Sequence, residues 1–275
     1  MVRSPEAIVP KRNWQVAGPF LQLVLIVLTA LLLTFPCLKH GIPRGHDSTV
    51  HASYQHHFSG QFWNGDPYPR WLCGENKGGG SPIFLIQYPL PYFVTAFIRP
   101  LLALPEGPRR EVVELGVYLF LAMAGAGMTA RCWFRSFAAP LSATLAAVAY
   151  LALPYFTILV YVRTSIGELT AVVWMPLLLY GMERAASCGR GYLTISLATA
   201  LLIASNVLIT LLFLPVVAAY AAMLRTQPEG SPPCKGFSFP FLSVEPSPDG
   251  TWFRQSFSGG YSILPPKRPP HPSST

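Results

Sequence analysis

The sequence predicts an all-α fold: a polytopic membrane helix bundle of about six transmembrane helices, with a large external loop and a disordered C-terminal tail. Three observations predict it. First, 51% of the 275 residues are hydrophobic and only 12% charged, against roughly 25% charged in soluble domains. Second, the chain contains long charge-free stretches of the order of the roughly 20 apolar residues that a bilayer core requires. Third, the basic residues behind the formal charge of +8 are scattered singly between apolar runs. A nucleic-acid binder would gather them on one polar face, and so sparse a charge excludes an ordinary water-soluble enzyme.

Residues 1–12 read as a short cytoplasmic arm. Residues 13–38, containing LQLVLIVLTALLLTF, form the first span; no small-residue cleavage site follows, so it is retained rather than removed as a signal peptide. Residues 39–111 form the external loop. Within it the apolar segment PIFLIQYPLPYFVTAFIRPLLAL (82–104) is interrupted by four prolines and Arg99. Whether this segment crosses sets the orientation of everything after it. If it does not, eight basic residues (Arg3, Lys11, Arg12, Arg131, Arg135, Arg184, Arg190 and Arg225) lie at cytoplasmic ends against Arg163 alone outside; if it does, the division is six against five. The positive-inside rule selects the first arrangement. Segment 82–104 then lies along the membrane surface, with Tyr88, Tyr92, Phe93 and Phe97 as anchors at the headgroup level.

Residues 115–130, 136–162 and 169–182 supply three further spans. The stretch 191–224 is 34 residues long, about 51 Å of helix, too long for a single crossing even when tilted. Ser205 and Asn206 at its midpoint mark a polar turn between two spans, which leaves Arg190 and Arg225 on the same side. The membrane domain is thus 13–225. The tail, 226–275, holds 11 Pro, 9 Ser and 5 Gly in 50 residues, a composition that favours disorder. The five cysteines (Cys37, Cys73, Cys132, Cys188 and Cys234) show no CxxC spacing, so neither a zinc ribbon nor a disulfide scaffold is expected.

Chemistry concentrates at the start of the external loop, where Arg44, His46, Asp47, His51, Tyr54, His56 and His57 fall within fourteen residues. Asp47 could accept a proton from an attacking hydroxyl, with His46 sharing or tuning it. Asp47 also precedes Ser48 as a helix N-cap would, and the two roles are compatible. The four histidines are of the type that binds a divalent metal, but on one helix His46 and His57 stand three turns apart. No metal site is therefore assigned, and a divalent cation stays an open option. Arg70, after the NGDPYP turn and before the flexible GGGS, offers a planar fork to phosphate oxygens. Further along, the charge-free run Leu169–Met182 is about 21 Å of helix, short of the hydrocarbon thickness. Completing a crossing draws Glu168 to the outer interface, where it faces a protein cavity or where Arg163 and Glu168 pair or snorkel at the boundary.

The pieces RGHDSTVHASYQHHF with GDPYPRW, then GGGSPIFLIQYPLPYF, then PYFTILVYVRTSIGELTAVVWMPLLLYG resemble, in order and spacing over roughly residues 15–225, the bacterial 6-pyruvoyl-tetrahydropterin synthase-related membrane domains. These sit within the broader GT-C-type integral membrane glycosyltransferases. The resemblance implies an inner-membrane protein that transfers a sugar from a polyprenyl-phosphate donor to an acceptor hydroxyl on the outer face. It implies a catalytic base at Asp47, supported by His46 and His51, and a donor phosphate held by Arg70, Arg109, Arg110 or Arg163, with Tyr54 and Glu168 shaping the substrate site. It implies no pterin chemistry. Such transferases carry more spans and often a soluble C-terminal domain, so the chain reads as a truncated or frame-shifted product. Two rivals stay open: a transporter or flippase of lipid-linked substrates, and an inactive membrane fragment.

Overall fold

Residues 14–107 and 109–226 are described by a computed structural model, and the described residues form nine α-helices and no strand. The arm 1–12 and the tail from residue 227 onward lie outside them. Three of the helices are long and apolar enough to cross a membrane: Gly18–His40 within α1 (Trp14–His40), α4 (Arg110–Phe134) and α9 (Val207–Arg225). α4 starts five residues earlier than the charge-free stretch, so Arg110, Glu111 and Glu114 belong to the helix rather than to the loop before it.

The expected span 136–162 is broken. α5 (Pro140–Leu151) and α6 (Pro154–Thr157), the latter continuing into a π-helical turn over Ile158–Arg163, meet at a bend of 43°. Pro154 is the cause, because its ring keeps the preceding residue out of the helical region, and Leu153 sits at φ −58°, ψ 136°. α7 (Ile166–Cys188) has 23 residues, about 34 Å of helix, well beyond the 14-residue apolar run. It reaches that length by carrying Glu168 and Glu183 inside its ends, and most of its surface is covered by neighbours. α8 (Tyr192–Ser205) has 14 residues, about 21 Å.

Side-chain contacts fix the directions. α1 and α4 are antiparallel: Arg131 donates to Gln22 at 2.7 Å near one end, and Gly116 lies against the Cys37 carbonyl near the other, where a Cβ would not fit. α4 and α7 are parallel, joined by Tyr118 with Thr170 and by Thr129 donating to the Val173 carbonyl at 2.7 Å. α8 runs back along α7, with Gly181 packed on Thr194 and Ile195 and the Trp174 indole donating to Ser205 at 3.0 Å. α9 then returns: the Tyr220 hydroxyl donates to Glu183 at 2.8 Å and accepts from Trp133 at 2.9 Å. The reversal falls at Asn206, whose side-chain oxygen caps α9 by accepting from the Ile209 N–H at 3.0 Å. This is the position where the polar pair 205–206 predicts a turn.

One end of the bundle therefore collects the helix termini bearing Arg131, Arg135, Arg184, Arg190 and Arg225. The opposite end carries the insert between α1 and α4, which contains α2 (Ser48–Trp63) and α3 (Leu90–Leu102). The sides are apolar and uncovered: α1 exposes Phe20 (71%), Leu21 and Leu32, and α9 exposes Leu208, Leu211 and Leu212. α3 has 13 residues, about 20 Å of helix. It docks on α2 through the edge-to-face contact of Phe58 with Phe93, and Phe84, in the turn that precedes α3, meets Phe58 the same way. Tyr92 is fully buried in that cluster, so it is a core residue and not a headgroup anchor; Phe97 stays exposed.

Candidate functional site

α2 begins at Ser48, as the Asp47 cap position predicts, yet the Asp47 carboxylate makes no capping hydrogen bond. Its side chain is exposed, and its backbone is pinned: the His46 and Asp47 N–H groups donate to the Val162 and Arg163 carbonyls at 3.1 and 3.2 Å. Gly45 permits that approach, since a Cβ there would overlap Thr164. The end of the first long helix is thereby stitched to the entry of α7. Arg163 donates two hydrogen bonds to Glu168, at 2.7 and 2.5 Å, and Tyr155 adds a third to the same carboxylate at 3.1 Å. Asp47, Arg163 and Glu168 thus share one end of the bundle, where Arg163 and Glu168 form the ion pair that is one of the two expected arrangements. Glu168 is almost buried while the Arg163 side chain is 42% exposed.

His51 lies one turn into α2 and is buried, its Nδ1 2.6 Å from the Tyr92 hydroxyl. With Tyr92 donating, the ring proton sits on Nε2, which is buried without a partner; the other tautomer would orphan two groups instead of one. Burial pushes the imidazole down to about 4, against a smaller upward pull from Asp47, so His51 is neutral at pH 7. Burial likewise raises the neighbouring phenols, Tyr88 to about 12, with Asp47 and Glu168 adding to the shift. Tyr88 packs on Gly167 in the first turn of α7. The arrangement is one free, water-facing carboxylate beside a neutral histidine, a protonated phenol and an arginine. Such a set can accept a proton at Asp47 and carry negative charge near Arg163.

The remaining predicted residues disperse. His46 is exposed beside Asp47. Tyr54 is half-buried against Phe84, and burial followed by the nearby Glu75 raises its phenol. Arg70 lies over the Tyr68 ring at 5.1 Å. Arg110 pairs with Glu106 and Glu114 at 3.6 and 3.3 Å. Arg109 lines a cleft of about 430 Å³ with Lys39, His40 and Arg44. Among the described residues no three His, Cys, Asp or Glu side chains are grouped as a metal ion would need.

A second polar centre escaped sequence reasoning. Glu114, fully buried, is held by Arg99 at 2.8 and 3.1 Å, by Arg110 and by Gln55, while Glu111 joins Arg99 at 3.2 Å and His56 at 2.9 Å. Thr95 completes it through Gln55. The signal was present: two glutamates three apart at a helix start and one arginine interrupting an apolar run. Comparisons with protein-family models, with curated proteins and with solved structures give no match.

Proposed function

We propose that the chain is a multi-pass inner-membrane protein crossing six times, with the insert on the outer face. We further propose that it acts as a glycosyltransferase-like protein, moving a sugar from a polyprenyl-phosphate donor to an acceptor hydroxyl. The six crossings are α1, α4, the bent α5–α6 segment, α7, α8 and α9. The apolar sides of α1 and α9 support membrane placement, and the gathering of Arg131, Arg135, Arg184, Arg190 and Arg225 at the end opposite the insert supports the orientation. The observation that carries the catalytic reading is the Asp47 carboxylate: exposed and unused by its own helix, on a backbone pinned to that of Arg163.

In this reading Asp47 takes the proton of the acceptor hydroxyl as its oxygen attacks the anomeric carbon. The bond from that carbon to the phosphate oxygen breaks, and the polyprenyl phosphate leaves with the electron pair. Neutral His51 holds the Tyr92 end of the site without competing for the proton. A nucleotide sugar is not at hand outside the cytoplasm, which makes a lipid-anchored donor the consistent choice. Of the four arginines suggested for the phosphate, Arg110 and Arg163 are committed to carboxylates and Arg70 to an aromatic face, which leaves Arg109.

The test is Asp47→Asn. Its exposed side chain makes no capping bond, so folding should be unchanged, whereas transfer from a polyprenyl-phosphate sugar should fall by about 10²–10⁴-fold with lipid binding retained. Unchanged transport of a lipid-linked substrate by this variant would favour a flippase instead, and no phenotype at all would favour an inactive fragment.

A further inference from the structure

We propose that Lys39, Arg44 and Arg109 form a site for the phosphate headgroup of an anionic lipid. The inference rests on the membrane placement proposed above and shares Arg109 with the donor-phosphate reading, but its test reads lipid binding without sugar transfer. The cleft lies where α1 ends and α4 begins, two antiparallel apolar helices that finish together: Gly41 packs on Val112, and the Ile42 N–H donates to the Val112 carbonyl at 2.9 Å. Its walls carry three cationic side chains, the His40 imidazole and the hydroxyl residues Ser48 and Thr49, and among the described residues no carboxylate lines it. None of Lys39, Arg44 and Arg109 is among the ion pairs of the described residues, unlike Arg99, Arg110 and Arg163. Three uncompensated cations around one concavity repel each other, and a phosphate would neutralise them.

A lipid is favoured over soluble phosphate by what leads up to the cleft. The exposed residues Leu21, Leu25, Leu28, Leu32 and Phe35 form one stripe along α1, spaced by alternating steps of four and three, which keep to one helix face. The next residue in that series is Lys39. An acyl chain lying on the stripe delivers its headgroup to the Lys39 end, at the level where basic side chains meet anionic headgroups.

The full chain, in a non-ionic detergent, is titrated separately with dioleoyl phosphatidate, dioleoyl phosphatidylcholine and inorganic phosphate, and bound molecules are counted by native mass spectrometry. Phosphatidate should bind at least tenfold more tightly than phosphatidylcholine. Each of Lys39→Gln, Arg44→Gln and Arg109→Gln should weaken it about fivefold, and the triple variant should abolish the preference, while Lys77→Gln in an exposed loop of the insert leaves it unchanged. All four positions are exposed, so folding is not at stake. Retention of the preference in the triple variant overturns the site, and inorganic phosphate binding as tightly as phosphatidate overturns the lipid assignment. Release of the wild-type chain from cell membranes by alkaline carbonate would defeat the membrane placement separately.

Discussion

His51 makes the chain's most direct link between burial and a measurable property. Its folded-state pKa of about 4 lies below the ordinary value of 6.5, so the unfolded chain takes up a proton that the folded chain refuses. The resulting stability is fully present above about pH 6.5 and is lost as pH falls toward 4, on the order of 1 kcal/mol per pH unit. Thermal unfolding in detergent should therefore show a lower Tm across that window, and His51→Gln should flatten the slope; an identical slope would contradict the burial account. Sequence spacing pointed to His51 but not to its partner. Tyr92 read as an interfacial anchor because an aromatic residue in an apolar run looks alike in either place, and only the docking of α3 on α2 distinguishes them.

At the scale of helices, the α1–α4 contact depends on glycine. Gly116→Ala sets a methyl group against the Cys37 backbone carbonyl, which cannot move without shifting the helix, whereas Gly127→Ala meets the Ile26 and Leu151 side-chain ends at 2.6 and 2.8 Å. The first should cost toward the upper end of about 1–3 kcal/mol and the second toward the lower, read as an ordered loss of Tm. The buried ionic centre joining α3 to α4 behaves differently. Glu114→Ala leaves the nearly buried Arg99 charge with Glu111 as its carboxylate partner among the described residues, a loss toward the lower end of about 3–5 kcal/mol. Adding Arg99→Ala should recover part of it, so the double variant is less unstable than the two single losses combined. These elements divide by how locally they are encoded. The Asn206 reversal was legible because two polar residues interrupt 34 otherwise charge-free positions, and the start of α2 because an Asp–Ser pair opens it. The break at Pro154 was not, since hydropathy runs through it without a dip. The glutamates of α4 were lost because a search for charge-free stretches discards the charged first turn, and their partner Arg99 lies on another helix.

Across the whole molecule, the directions of the helices sort the charges: Arg131, Arg135, Arg184, Arg190 and Arg225 at one end, the insert with Asp47, the Arg163–Glu168 pair and the cationic cleft at the other. That polarity turns a list of residues into a proposal for chemistry outside the cytoplasm, and two native thiols report on it. Cys73 is exposed in the insert and Cys188 is exposed at the end of α7, at the opposite pole, while Cys37 and Cys132 are buried. With Cys234 replaced by serine, a membrane-impermeant maleimide applied to intact cells should label Cys73 and spare Cys188 until the membrane is opened. Labelling of Cys188 with protection of Cys73 would place Asp47 inside the cell and contradict the account.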